Sequence, residues 1–197
     1  ILPRFKWYAR GRGYTYSVGL EKALEYIVLE YPFSFWQYHH IDCDSIPGKD
    51  ATPDEMLEHL RRVVLFSAYS DRAMSSASMF QFCTELGYYG YVQKNVKDLL
   101  SSDSYPNCAF APQVPELKYD PKPMLKINNW LQKNGNNMLY IYGERDPWSA
   151  PGIIPDKETN SIRFVRKGGN HYTFINTFSV KEREEIFSVL KKWLGIW

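Results

Sequence analysis

The chain has 197 residues, enough for one domain or for one domain with an insertion. Hydrophobic residues at 44% and charged residues at 23% exclude a disordered tail and permit a packed core. Lys plus Arg number 24 against 22 for Asp plus Glu, so a formal charge of +2 gives no electrostatic argument for a nucleic-acid partner, and no apolar run is long enough to span a membrane.

Residues 1–16 are basic and aromatic, carry Gly11 and Gly13, and read as a loop or arm. From Ser17 to Tyr31 the apolar positions Val18, Ala23, Leu24, Ile27, Val28 and Tyr31 recur at helical spacing, and Pro32 is expected to end that helix or begin the next turn. Phe33 to His40 continues apolar and aromatic, and 42–52 is a loop rich in Asp, Ser, Pro and Gly. Thr52-Pro53-Asp54-Glu55 marks a helix start: Thr52 caps, Pro53 suits the first helical position, and Glu55 sits where a capping box needs it. That helix is expected to reach about Ser67, and another to begin near Ser70-Asp71. Helices without strands thus fill roughly 17–100, and 101–120 is loop-like, with Pro106, Pro112 and Pro115.

The pattern then changes. A helix is expected over Pro121 to Asn134, stopped by Gly135. Met138 to Tyr142 is a short apolar run that reads as a buried strand, and Ser161 to Val165 as a second. Val180 to Leu194 is an amphipathic helix with Ile186, Phe187, Leu190 and Leu194 on one face. Strands alternating with helices imply a parallel sheet and an α/β class for this part of the chain.

Working residues of parallel α/β sheets gather at the carboxyl ends of strands. Two loops leave such ends here, Gly143-Glu144-Arg145-Asp146-Pro147-Trp148 and Gly168-Gly169-Asn170-His171-Tyr172. An Asp that accepts the Nδ1–H of a His fixes its tautomer and leaves Nε2 to act as a base. Asp146 and His171 are therefore the candidate catalytic pair, in the chain order of hydrolases whose nucleophile comes first. Each also has a plain reading, Asp-Pro as a turn and Gly-Gly-Asn-His as a loop with a solvated histidine. No Gly-x-Ser-x-Gly elbow occurs: Ser17 has Thr15 where the first glycine belongs, and Ser67 and Ser149 fit no better. His39, His40 and His59 read as surface or lid residues, no trio has metal spacing, and no cofactor is implied. Three cysteines, Cys43, Cys83 and Cys108, fit one disulfide with one free thiol in a secreted protein, or three thiols in a cytosolic one.

Four segments carry a resemblance. They are Leu20-Glu21-Lys22-Ala23-Leu24-Glu25-Tyr26 with Tyr31-Pro32-Phe33-Ser34-Phe35-Trp36-Gln37; Phe82-Cys83-Thr84-Glu85-Leu86-Gly87-Tyr88-Tyr89-Gly90-Tyr91; Tyr142 to Ser149; and Gly168 to Tyr172. In this order they resemble the secreted bacterial prolyl tri- and tetrapeptidyl aminopeptidases. The Cys-Thr-Glu and Asp-Pro-Trp pieces are also similar to the lysosomal prolylcarboxypeptidase family. The resemblance implies the C-terminal part of an α/β-hydrolase fold with a mostly helical lid: 1–16 as arm or linker, 17–120 as lid or cap, 121–197 as the last strands and helices of the hydrolase core. It implies a serine exopeptidase, secreted or periplasmic, that removes short peptides from a free amino terminus after proline. Asp146 would orient His171, which would serve as base and then acid. Trp148 resembles a tryptophan lining a proline pocket, with core packing as its plain alternative. Glu85 is a candidate partner for the substrate ammonium, or a structural lid carboxylate.

The chain opens Ile1-Leu2-Pro3 without an initiator Met, as a truncated or processed terminus would; the resemblance implies that the serine elbow lies upstream of Ile1, and this chain alone is expected to be inactive. Its partners would be a peptide with a free amino terminus and the N-terminal half of the same enzyme. Rival readings are a general α/β-hydrolase such as an esterase or lipase, and a non-catalytic peptide- or partner-binding module.

Overall fold

A computed structural model describes residues 1–38, 43–74, 77–112 and 114–196. His39 and His40 lie outside the described residues. The chain divides into two compact units, Ile1–Phe35 with His40–Met124, and Trp36–His39 with Leu125–Trp197. No described helix is long and apolar enough to cross a membrane.

The first unit is helical. Residues 1–16, expected as an arm, instead begin with α1 (Leu2–Arg12), whose Phe5 and Ala9 are buried. Its weak amphipathic pattern hid it, because tertiary burial of two residues holds it rather than a continuous apolar stripe. α2 (Leu20–Tyr38) passes through Pro32, which was expected to end it. An internal proline costs a helix about 3 kcal/mol. Burial on both sides outweighs that cost, with Tyr26, Ile27 and Leu29 before Pro32, and Ser34 and Phe35 after it. α3 (Pro53–Val63) starts with the expected capping box: Thr52 N–H donates to Glu55 Oε2 at 2.8 Å, and Glu55 N–H to Thr52 Oγ1 at 3.3 Å. It stops four residues short of Ser67, and a 3₁₀ turn over Phe66–Tyr69 follows. Two short helices, α4 (Asp71–Met74) and α5 (Ala77–Gln81), lead into a π-helical turn over Phe82–Leu86.

Aromatic rings fill the core of this unit. Tyr26 meets Phe110 and Tyr105 edge-on at 4.6 and 5.1 Å between centroids, and Phe5 meets Phe66 at 5.4 Å. The Tyr26 hydroxyl donates to the Pro106 carbonyl at 2.8 Å, so its polar end is satisfied. Cys83 and Cys108 form a disulfide, and Cys43 is a free, exposed thiol. Of the pairings open to three cysteines, this one ties the π-helical turn to the 3₁₀ turn at Asn107–Phe110, and a bridge closing a loop of that length contributes about 3 kcal/mol.

The second unit is α/β. α6 (Lys122–Asn134) begins at its edge, followed by β1 (Leu139–Gly143), β2 (Ile162–Arg166) and α7 (Val180–Leu194). The two strands pair in parallel, with Leu139 opposite Ile162 and Gly143 opposite Arg166. α7 opens on a capping box of Ser179 with Glu182 and closes at Gly195. Its expected apolar face is only partly used: Ile186 is fully buried, but Phe187 and Leu194 are 49% and 68% exposed. The described sheet is two strands wide, too narrow to cover the whole stripe.

Candidate active site

The strand register creates the site. Gly143 and Arg166 are paired at the carboxyl ends of β1 and β2, so the two loops that follow start side by side. Backbone bonds then fasten the loops to each other. Glu144 N–H donates to the Arg166 carbonyl at 3.1 Å, and Arg145 N–H to the Gly169 carbonyl at 2.8 Å. In return Gly168 N–H donates to Glu144 Oε2 at 2.7 Å. Gly168 takes a φ of 64°, which glycine adopts without strain. Gly143 is required for a different reason: a Cβ there would lie 2.8 Å from the Gly169 carbonyl carbon and closer still to the Asn170 oxygen. Both obstacles are backbone, so the loops approach this closely only across a glycine.

Within this frame Asp146 serves two partners. Its Oδ1 accepts the Trp148 N–H at 3.1 Å, capping the 3₁₀ turn over Pro147–Ser149. Its Oδ2 lies 2.8 Å from His171 Nδ1. A carboxylate can only accept, so Nδ1 is the donor, and in the neutral imidazole Nε2 is then the nitrogen with the lone pair. The Asp146 side chain is 10% exposed and that of His171 44%, so the anion is sheltered while the imidazole faces solvent. The histidine is also fixed through its backbone, because His171 N–H donates to the Gln37 carbonyl at 2.9 Å. Asn170, 3% exposed, holds the turn beyond: its Oδ1 accepts Tyr172 N–H at 3.1 Å and its carbonyl accepts Thr173 Oγ1 at 2.6 Å.

Residues at the end of α2 belong to this site as well. Tyr38 meets the His171 ring edge-on at 5.5 Å between centroids and the Tyr172 ring at 5.9 Å. The Arg145 guanidinium lies 5.3 Å from the centre of the Trp36 ring. Periodicity placed 33–40 only as an apolar continuation. The Trp-Gln pair of the resembling segment was the one sequence signal that these positions matter.

Trp148 sits on the capped turn and is 38% exposed, so part of its indole meets solvent beside the pair. Glu85 is exposed on the π-helical turn of the first unit, next to the disulfide. Among the described residues the buried Ser149 hydroxyl has no hydrogen-bond partner, so no base is placed to activate it. Among the described residues no group of His, Cys, Asp or Glu is arranged to hold a metal ion.

A sheltered carboxylate, a fixed imidazole and an open Nε2 make an acid–base pair that can take a proton from a hydroxyl and return it to a leaving group. The family model for the PS-10 peptidase S37 group matches residues 2–196. The prolyl tri/tetrapeptidyl aminopeptidase of Streptomyces mobaraensis is 29% identical over 208 residues, an alignment covering 100% of this chain and 43% of that protein. The chain thus spans less than half the length of the curated relative it matches. No solved structure matches it.

Proposed function

Since the chain belongs to the PS-10 peptidase S37 family, we propose that it supplies the acid–base pair of a serine exopeptidase that removes short peptides from a free amino terminus after proline. The observation that carries this reading is the 2.8 Å hydrogen bond between His171 Nδ1 and Asp146 Oδ2 at neighbouring parallel strand ends. The matched relative is named for prolyl tri- and tetrapeptide release, which supplies the substrate class. The α/β-hydrolase architecture, with 17–120 as its lid, belongs to the same proposal.

The proposed steps are these. His171 Nε2 takes the proton of a serine hydroxyl supplied by sequence beyond these residues as the oxygen attacks the carbonyl carbon of proline. Asp146 stabilises the imidazolium that forms. The tetrahedral intermediate collapses, the C–N bond breaks, and His171 gives the proton to the departing amine. Water then enters by the same route in reverse, and the acyl-serine ester is hydrolysed. Trp148 offers a flat indole surface suited to a pyrrolidine ring. The Cys83–Cys108 disulfide favours an oxidising compartment, and hence secretion.

The test uses the full-length protein. It should be labelled on one serine within Gly-x-Ser-x-Gly by a fluorophosphonate, and should release tripeptides or tetrapeptides ending in proline from an unblocked peptide, both read by mass spectrometry. Absence of labelling together with no peptide release would favour the non-catalytic binding module.

A further inference from the structure

One hydrogen bond does not fix an imidazole. Asp146 Oδ2 holds His171 Nδ1 at 2.8 Å, yet the ring can still rock about the line between those two atoms, because the torsion that turns a histidine ring is broad. Rocking leaves Nδ1 near its partner but swings Nε2, the nitrogen that has to meet a hydroxyl. The His171 side chain is 44% exposed, so its own loop does not enclose the ring. A restraint has to come from outside that loop.

Three consecutive residues at the end of α2 touch both loops of the pair, and all three belong to the second unit, as the loops do. The Trp36 ring lies 5.3 Å from the guanidinium of Arg145, the residue before Asp146. The Gln37 carbonyl accepts the His171 N–H at 2.9 Å. The Tyr38 ring then meets the His171 ring at 5.5 Å between centroids, with the planes 74° apart, and the Tyr172 ring at 5.9 Å and 52°. An edge-on pair at this separation is attractive, and the attraction depends on the angle between the rings. The backbone bond at Gln37 fixes the point from which Tyr38 reaches the imidazole, and Tyr172 gives the Tyr38 ring a second support on the same loop. Tyr38 is 39% exposed, so the contact is not a by-product of core packing.

We propose that Tyr38 is a positioning residue of the acid–base pair: its ring stops the His171 imidazole from rocking and keeps Nε2 on the line of proton transfer. The role rests on the exopeptidase reading for the reaction it serves. A reacting atom held slightly out of place slows a step that depends on alignment. The attraction of one aromatic pair corresponds to a factor of about two to ten. A loss of that size is expected without the ring, and it should fall on kcat rather than KM, because Tyr38 acts on the base and not on the substrate.

The experiment reads full-length protein in two ways. Proton NMR observes the His171 Nδ1–H, which gives a resolved downfield signal while the carboxylate bond shields it from exchange with water. Steady-state kinetics on a proline-bearing chromogenic tripeptide gives kcat and KM separately. Tyr38→Phe, which keeps the ring, should retain the signal and the parental kcat. Tyr38→Leu should melt cooperatively, broaden or lose the signal, and lower kcat about fivefold at unchanged KM. Tyr38→Met, a second variant without a ring, should match it. A parental signal or a parental kcat in the two ringless variants overturns the proposal, as does the same loss in Tyr38→Phe, a change confined to KM, or a parent with no downfield proton. A parent that turns over no substrate, but shows the signal and loses it in the ringless variants, removes the peptidase reading and leaves the restraint on the imidazole in place.

Discussion

Full-length protein carrying His171→Gln is expected to hydrolyse a proline-bearing chromogenic tripeptide about 10⁴-fold more slowly than the parent, with KM little changed. Glutamine keeps the backbone bond to the Gln37 carbonyl but has no basic nitrogen to take a proton. Asp146→Asn should cost about as much by another route. The asparagine amide presents an N–H where a carboxylate oxygen stood, the imidazole reverses its tautomer, and Nε2 becomes protonated and useless as a base. The two losses share one function, so the double variant should be no slower than the slower single one. Initial rates of the three variants at one pH decide the matter. Parental activity in His171→Gln, or losses that multiply in the double variant, would end the acid–base assignment.

Gly143→Ala should be the most damaging small substitution in the second unit. The added methyl would press on the Gly169 and Asn170 backbone, which cannot rotate out of its way. Overpacking of this kind costs about 3 kcal/mol. Because the obstructed segment leads directly to His171, activity should fall with stability. Gly48→Ala is the matched control, since a Cβ there meets nothing within 4 Å and the backbone is not left-handed. Urea denaturation of the pair should shift the midpoint for position 143 and leave that for 48 unchanged. A Gly143→Ala protein as stable as the parent would mean the loops do not approach as described.

Legibility followed the range of the interaction. The Thr52–Glu55 capping box, the strands at 139–143 and 162–166, and α7 are written in residues a few positions apart, and the sequence reading placed all of them to within a residue. That Asp146 and His171 lie within hydrogen-bond reach was legible because strand pairing, not their own neighbours, brings the two loop positions together. What stayed hidden depends on distant partners. Glu30 looks like an ordinary surface charge between Leu29 and Tyr31, and only the tyrosines 59 and 61 residues away reveal it as buried. The survival of α2 past Pro32 and the docking of Gln37 and Tyr38 on the histidine loop are likewise set by packing that no local pattern encodes. α1 was missed because Gly11 and a run of basic residues mask two buried positions.

Glu30 of α2, 5% exposed and bonded by the hydroxyls of Tyr89 and Tyr91, adds one acid-favoured component to the stability of the first unit. Burial pushes the carboxyl above its ordinary range, and the hydroxyls of Tyr89, Tyr69, Tyr91 and Ser34 pull it only part of the way back. The folded form thus holds that proton more tightly than the unfolded chain does. Its contribution is complete at pH values below the ordinary carboxylate range and drains away as the solution is brought up through the folded value. Measured against Glu30→Gln, thermal melts of the parent should lose ground across that interval, and a constant difference between the two would exclude the effect. Glu25, Glu55, Glu58 and Asp71 of the same unit pull the other way, their carboxyls held below the ordinary range by hydrogen bonds, so Glu30 offsets part of what acid takes from the fold.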